Sequence, residues 1–272
     1  MTKPNPHHRT SSDWIFQAPG AVQRFEAFFA DNAYAPHRHD TYAIGWTLAG
    51  VQTFDYRGAV RRSLPGHAVI VHPDELHNGF AGTDEGFRYR VLYVEPADIQ
   101  AALGGKALPF VPDGVSNDPR LRCAVTRLLG SYEDQLAPLE YQDAIFDLAQ
   151  AMDAVAGQGS TRRKRFDYQA AETARQYLCR HWDESVTMEE LETVCDRDRW
   201  QLSRDFRALF GTSPYRYLVM RRLARARERL AEGAALVDVA VDCAFSDQSH
   251  MTRHFRKTYG ITPRRWLAAL QR

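Results

Sequence analysis

The chain has 272 residues, 44% hydrophobic and 25% charged, with a net charge of +1, a composition that excludes disordered and collagen-like proteins and leaves room for one or two ordinary domains. The four cysteines, Cys123, Cys179, Cys195 and Cys243, form no C-x-x-C pair, which argues against a zinc ribbon or a disulfide framework and for a reducing compartment. No stretch approaches the roughly 18 apolar residues of a spanning helix, and the polar, Pro-broken start "MTKPNPHHRTSSDW" has no signal-peptide core, so a cytoplasmic protein without a membrane partner is expected.

The near-neutral total hides two unlike halves. Residues 1–160 carry 13 basic and 19 acidic side chains, a net −6, whereas residues 161–272 carry 22 and 15, a net +7. A basic module fused to an acidic one raises the expectation of a polyanionic partner for the basic half.

Residues 41–95 are written as short β-prone runs between turns: "TYAIGWTLAG", "VQTFDYRG", "HAVIVHPDE", "GFRYRVLYVE". Alternation sets Phe87, Tyr89, Val91 and Tyr93 on one face and Arg88, Arg90, Leu92 and Val94 on the other, so a small barrel or sandwich is predicted. After Pro119 the period becomes helical, with Leu121, Val125, Leu128 and Tyr132, then Tyr141, Ile145, Leu148 and Met152, at i, i+4, i+7 and i+11. Two amphipathic helices follow, their stripes packing on the β module or forming a homodimer seam. The stretch "GQGSTRRKR" marks a linker, with Arg162, Arg163, Lys164 and Arg165 as a solvated run.

Beyond the linker one passage occurs twice, as "LSRDFRALFGTSPYRYL" (202–218) and "MTRHFRKTYGITPRRWL" (251–267). Leu202, Phe206 and Phe210 recur as Met251, Phe255 and Tyr259, an apolar helix face at i, i+4, i+8. Gly211 and Gly260 suit the left-handed residue that ends a helix, Ser213 and Thr262 suit N-caps, and Pro214 and Pro263 suit the first helical position. Asp198 and Asp247 are placed to cap the doubled helix, and Thr187 with Glu190 has capping-box spacing upstream. Each copy is therefore predicted to be helix, tight turn, helix, in which the second helix enters a DNA major groove.

Opposite the apolar stripe, the first copy carries Trp200, Gln201, Ser203, Arg204 and Arg207, and the second carries Gln248, Ser249, His250, Thr252, Arg253 and Arg256, with Lys257 placed for phosphate. Arg matches the paired acceptors of guanine, Gln matches adenine, and hydroxyls and aromatics reach several base edges. Residues 214–232 between the copies read as one helix with Val219, Leu223, Ala226 and Leu230 as its buried stripe. Its length of roughly 28 Å is near the roughly 34 Å between successive major grooves on one face of the duplex. Arg221, Arg222, Arg225 and Arg229 along it are expected to keep it soluble or to neutralise phosphate.

These residues, above all "VDVAVDCAFSDQSHMTRHFRKTYGITPRRW", resemble the AraC/XylS family of bacterial transcription regulators, with the likeness extending over roughly residues 168–270. The resemblance implies base contacts from Trp200, Ser203 and Arg204 and from Gln248, Ser249 and Arg253. Two departures stand out: Ala244 replaces the usual Gly of the second turn, and Glu192 and Asp196 replace Ala and Gly in the first unit. "PHRHDTYAIGWTLAG" and "PGHAVIVHPDELH" resemble the family's cupin-like sensor domain.

His37, His39 and His77 are the kind of set that holds a divalent metal in enzymatic cupins, since imidazoles at i and i+2 of a strand face one way. The carboxylate such enzymes place a few residues later is missing, because positions 43 and 44 are Ala and Ile. No metal, cofactor or catalytic residue is therefore expected; a cupin metalloenzyme fused to a DNA-binding module is the alternative. His37, His39, Tyr42, Trp46, Phe54 and His77 are candidates for lining an effector site inside the barrel.

The expected architecture is α+β: a cupin-like β-barrel sensor (1–118), a helical segment available for dimerisation (119–156), a linker (157–166) and an all-α domain of two helix-turn-helix units joined by a long helix (167–272). The expected partners are double-stranded DNA, a small-molecule effector, a second copy in a homodimer and, for an activator, RNA polymerase.

Overall fold

The computed structural model describes residues 13–19, 22–130, 135–156 and 166–270; the basic run at 162–165 and Tyr132 lie outside them. The strands are β1 (Trp14–Gln17), β2 (Arg24–Phe29), β3 (Asn32–His37), β4 (Tyr42–Gly50), β5 (Gln52–Tyr56), β6 (Ala59–Ser63), β7 (Ala68–Val71), β8 (His77–Ala81), β9 (Phe87–Val94) and β10 (Val115–Ser116). Among the described residues they form two antiparallel sheets, in the orders β1-β2-β9-β4-β7-β10 and β3-β8-β5-β6, in keeping with the small barrel or sandwich predicted.

One apolar cluster joins the sheets: Ala27, Phe29, Ala43, Val69, Val71, Phe87, Tyr89 and Val91 from the first meet Ala33, Phe54 and Tyr56 from the second. The alternation predicted in β9 is what divides the core. Phe87, Tyr89 and Val91 face the second sheet, while Leu92 and Val94 face three helices, α1 (Pro96–Leu103), α2 (Pro119–Leu129) and α3 (Pro138–Ala156). The stripes of α2 and α3, among them Leu121, Val125, Leu128, Ile145, Leu148 and Met152, are buried in that same cluster, so they pack on the β module.

The carboxyl-terminal half comprises α4 (Tyr168–Arg180), α5 (Met188–Cys195), α6 (Arg199–Phe210), α7 (Pro214–Ala231), α8 (Leu236–Asp242), α9 (Gln248–Tyr259) and α10 (Pro263–Leu270). Its helix ends follow from the caps. The side chain of Thr187 accepts from the Glu190 N–H while Glu190 accepts from the Thr187 N–H, closing the capping box. Asp198 accepts from Trp200 and Gln201, and Asp247 from His250. Gly211 and Gly260 end α6 and α9 at φ 75° and 72°, in the left-handed region a side chain enters with strain.

The long helix α7 serves two cores. Tyr217 and Leu218 pack with α4, α5 and α6, whereas Val219, Met220, Leu223, Ala226 and Leu230 pack with α8 and α9. One rigid rod therefore fixes the two helix-turn-helix units relative to each other.

Candidate functional site

The polar residues predicted to read bases stand on one face of each doubled helix because the opposite face is buried. In α6, Leu202, Phe206, Leu209 and Phe210 are buried, while Gln201, Arg204 and Arg207 are exposed, Ser203 is half-buried and Trp200 is 73% exposed. In α9, Met251 and Phe255 are buried; Ser249, Arg253, Arg256 and Lys257 are exposed, and Gln248, His250 and Thr252 are half-buried. An indole so exposed on an ordered helix is unused by the fold of this chain, which is what a base-edge contact requires. His250 and His254 share a hydrogen bond, Nε2 to Nε2 at 3.0 Å, so part of the His250 ring is engaged within the helix.

The family departures are accommodated locally. Asp196 and Ala244 occupy left-handed backbone at φ 48° and 56°, the conformation the usual glycines supply. Glu192 accepts from the Arg199 N–H at 2.8 Å and pairs with its guanidinium, so a carboxylate where an alanine is usual acquires a partner.

Of the four arginines picked out on α7, Arg221 and Arg222 are engaged by the fold, whereas Arg225 and Arg229 stay at the exposed surface, where a solubilising charge belongs. Arg222 donates to the carbonyls of Trp182, Glu184 and Ala244. Arg225 and Arg229 pair with Glu228 and Asp242. Arg221 crosses between the two halves, donating to Asp40 at 2.9 Å and Glu95 at 3.0 Å, and Arg216 pairs with Asp74 at 3.2 Å.

Both doubled helices also touch the amino-terminal half through backbone. The Leu108 N–H donates to the Ala208 carbonyl in α6, and the Arg38 N–H donates to the Lys257 carbonyl in α9, each at 3.1 Å. Gly211 and Gly260 allow the approach. A Cβ on Gly211 would lie 2.5 Å from the Pro73 side chain, and one on Gly260 would lie 2.9 Å from the Ala35 carbonyl.

In the amino-terminal half a connected cavity of about 3010 Å³ runs from between the sheets to the seam with α7 and α9. That exceeds the roughly 300–1,000 Å³ of one small-molecule pocket, so it is a passage with room for a ligand in part of it. Ala27, Ala43 and Gly45 leave the space, and Tyr34, Tyr89 and Tyr93 give it polar atoms. Burial raises all three phenols above the ordinary tyrosine range.

Of the predicted lining residues, His37, His39 and His77 come together at this cavity. Tyr42 and Trp46 lie on the opposite face of β4, against the helices, where the Tyr42 hydroxyl donates to the Pro109 carbonyl at 2.9 Å. Phe54 is buried in the inter-sheet cluster.

β3 and β8 pair with His37 opposite His77, and His39 follows two residues beyond, bringing the imidazole ligand atoms within 4.8 Å of one another. Burial depresses His37 to about 4 and His39 to about 3, and carries His77 well below its usual value. All three are neutral near pH 7. Among the described residues this converging group contains histidines and no carboxylate.

Another buried histidine, His72, stands apart from the cluster and carried no sequence signal that set it off from its strand. Its Nε2 accepts from the Val111 N–H at 2.9 Å and its Nδ1 meets the Tyr56 hydroxyl. Both ring nitrogens are satisfied, as a packing histidine requires.

Comparison with known proteins agrees with this geometry. A family model described as an AraC-like ligand-binding domain matches residues 19–149, and one described as a helix-turn-helix domain matches residues 194–269. The chain is 25% identical over 267 residues to the HTH-type transcriptional activator RhaS of Yersinia pestis (strain Pestoides F), covering 92% of this chain and 95% of that one. It is 23% identical over 223 residues to the HTH-type transcriptional regulator YbfI of Bacillus subtilis (strain 168), covering 79% and 80%. A 1.65 Å structure of ToxT from Vibrio cholerae superposes with a TM-score of 0.64 at 11% identity, covering 95% of this chain and 97% of that one, a likeness of fold.

Proposed function

The chain belongs to the AraC/XylS family of transcription regulators, with an amino-terminal ligand-binding domain and a DNA-binding helix-turn-helix domain, and from that premise we propose that α6 and α9 read two successive major grooves of one duplex. One observation carries the reading: two helices, each buried along its apolar face, present a polar face at the same register, with Trp200, Ser203, Arg204 and Arg207 on one opposite Ser249, Thr252, Arg253 and Arg256 on the other. The 18 residues of α7 span about 27 Å, close to the roughly 34 Å repeat of the grooves. The operator is then bipartite, with unlike halves, because the readers differ at 200 against 249 and at 201 against 250.

The effector site is the cavity between the sheets, and the effector is a small molecule with an apolar body. Phe25, Phe29, Val69 and Val91 offer the apolar wall, while Tyr34 and Tyr93 offer hydroxyls. The ToxT structure with a bound unsaturated fatty acid, TM-score 0.63 at 13% identity, is in keeping with a ligand of that character. By likeness to the RhaS activators, the chain activates transcription in the cytoplasm together with RNA polymerase. It acts as a regulator and not as an enzyme.

Selection of binding sites from random duplex by the full chain tests the central claim. Two dissimilar conserved blocks about one helical turn apart are expected, with affinity falling steeply as salt rises through counterion release. A single block, or salt-insensitive binding, refutes it.

A further inference from the structure

We propose that His37, His39 and His77 form a divalent-metal site, best matched to zinc(II), whose remaining coordination position opens into the cavity between the sheets. The first ground is convergence. The three ligand nitrogens lie within 4.8 Å of one another, and ring centroids are 4.2 Å apart for His37 and His77 and 4.8 Å for His39 and His77. A tetrahedral ion with bonds of about 2.0–2.1 Å needs nitrogens about 3.4 Å apart, a closure of an ångström or so that small ring rotations supply.

The second ground is the tautomer. The Nδ1 atoms of His37, His39 and His77 lie 2.9, 2.8 and 3.0 Å from the carbonyls of Ala35, Thr41 and Glu75. A carbonyl can only accept, so each Nδ1 holds the proton and each Nε2 keeps its lone pair. Backbone carbonyls orienting the far nitrogen are the outer partners that metal-binding imidazoles use.

The third ground is a vacant acceptor: the Nε2 of His39, a residue 5% exposed, is buried without a hydrogen-bond partner. A packing histidine has no reason to leave it so, and His72 in the same domain does not. The absence of a carboxylate, which at the level of sequence argued against a metal, instead defines a three-nitrogen site. It leaves the ion's full charge to be balanced by hydroxide or by an oxygen anion of the effector.

The site adjoins the DNA-binding half. A Cβ on Gly260, the residue that ends α9, would lie 3.2 Å from the His37 Nδ1, and the neighbouring Arg38 N–H holds the Lys257 carbonyl. Drawing the three rings onto an ion therefore bears on the end of the second reading helix.

The test uses the full chain, stripped with EDTA and titrated with Zn²⁺ against a competing chelator and with Co²⁺ by visible absorption, with no effector present. One equivalent per chain is expected, with the cobalt bands of a low-coordinate nitrogen site and a higher melting temperature with zinc than without. H77N and H39Q each lower affinity by more than the roughly 10–100-fold that follows loss of an outer-shell partner. H250N/H254N and H7N/H8N leave it unchanged, which separates the site from the α9 pair and from the two amino-terminal histidines. Should H77N fail to fold, H39Q carries the comparison, since His39 lies outside the β3–β8 pairing. Wild-type protein that binds neither ion overturns the proposal, as does binding that survives H39Q or is lost in H7N/H8N. Completion of the coordination by the effector rests on the cavity being the effector site. A ligand that fills the cavity without altering the cobalt spectrum refutes that clause alone.

Discussion

The Arg221 bridge is the sharpest test of how the two halves are joined. Its side chain is 21% exposed, that of Asp40 7% and that of Glu95 37%. Removing one partner of a buried pair costs about 3–5 kcal/mol, because the other charge is left desolvated, whereas an exposed pair contributes about 0–1 kcal/mol. Asp40 belongs to the first regime and Glu95 is close to the second, so Arg221→Ala is expected to destabilise the docked chain by about 3 kcal/mol, mostly through Asp40. E95Q should lose about 0.5–1 kcal/mol, and adding D40N to Arg221→Ala should recover part of the loss by removing the stranded charge. Urea unfolding followed by tryptophan fluorescence reports on both halves, since Trp14 and Trp46 lie in one and Trp182, Trp200 and Trp266 in the other. The wild type should unfold in one transition and Arg221→Ala in two. A change under about 0.5 kcal/mol with a single transition retained would refute the reasoning, since a pair worth so little cannot be buried and bearing on the seam.

Arg253→Ala should relax discrimination at one base pair by about 1–3 kcal/mol, whereas Lys257→Ala should weaken all sequences alike and lower the salt slope by about 1; competition binding on a panel of single-base variants separates the two. Ala244→Gly should raise the stability of the second helix-turn-helix unit by about 0.5–1 kcal/mol in thermal unfolding, because relief of a left-handed alanine outweighs the added freedom of the unfolded chain. For the pH profile, burial depresses His72 from 6.5 to about 3, so the unfolded state binds the extra proton and stability is full above about pH 6.5 and falls as the pH is lowered toward 3. At pH 5 the His72 contribution alone amounts to about 2 kcal/mol, and a flat urea midpoint between pH 7 and pH 5 in EDTA would contradict it.

The DNA-reading half was legible because its signals are local. Caps, helix-ending glycines and apolar stripes act within a few residues of one another, and the duplication supplied each of them twice, so Asp198, Asp247, Gly211 and Gly260 took the positions their neighbours dictate. The sensor cavity was legible only in part, for a reason visible in β4. Both faces of that strand are covered, one by the second sheet and one by α1, α2 and α3. Alternation therefore separates Tyr42, Ile44 and Trp46 from Ala43 and Gly45 without saying which set looks inward. Size is the clue, since the small residues are the ones that leave a cavity.

The seam between the halves was not legible at all. Arg221 and Asp40 are 181 residues apart, and nothing periodic connects them; on its own helix Arg221 looks like one more solubilising charge. The same distance in sequence hides the relation between His37 and Gly260. The glycine is required twice over, by the left-handed turn that ends α9 and by the Ala35 carbonyl and His37 ring packed against it. Only the first requirement can be read from the chain. The second is what brings the histidine cluster against the end of α9, so a residue that reads as scaffold is also a point of contact between the two halves.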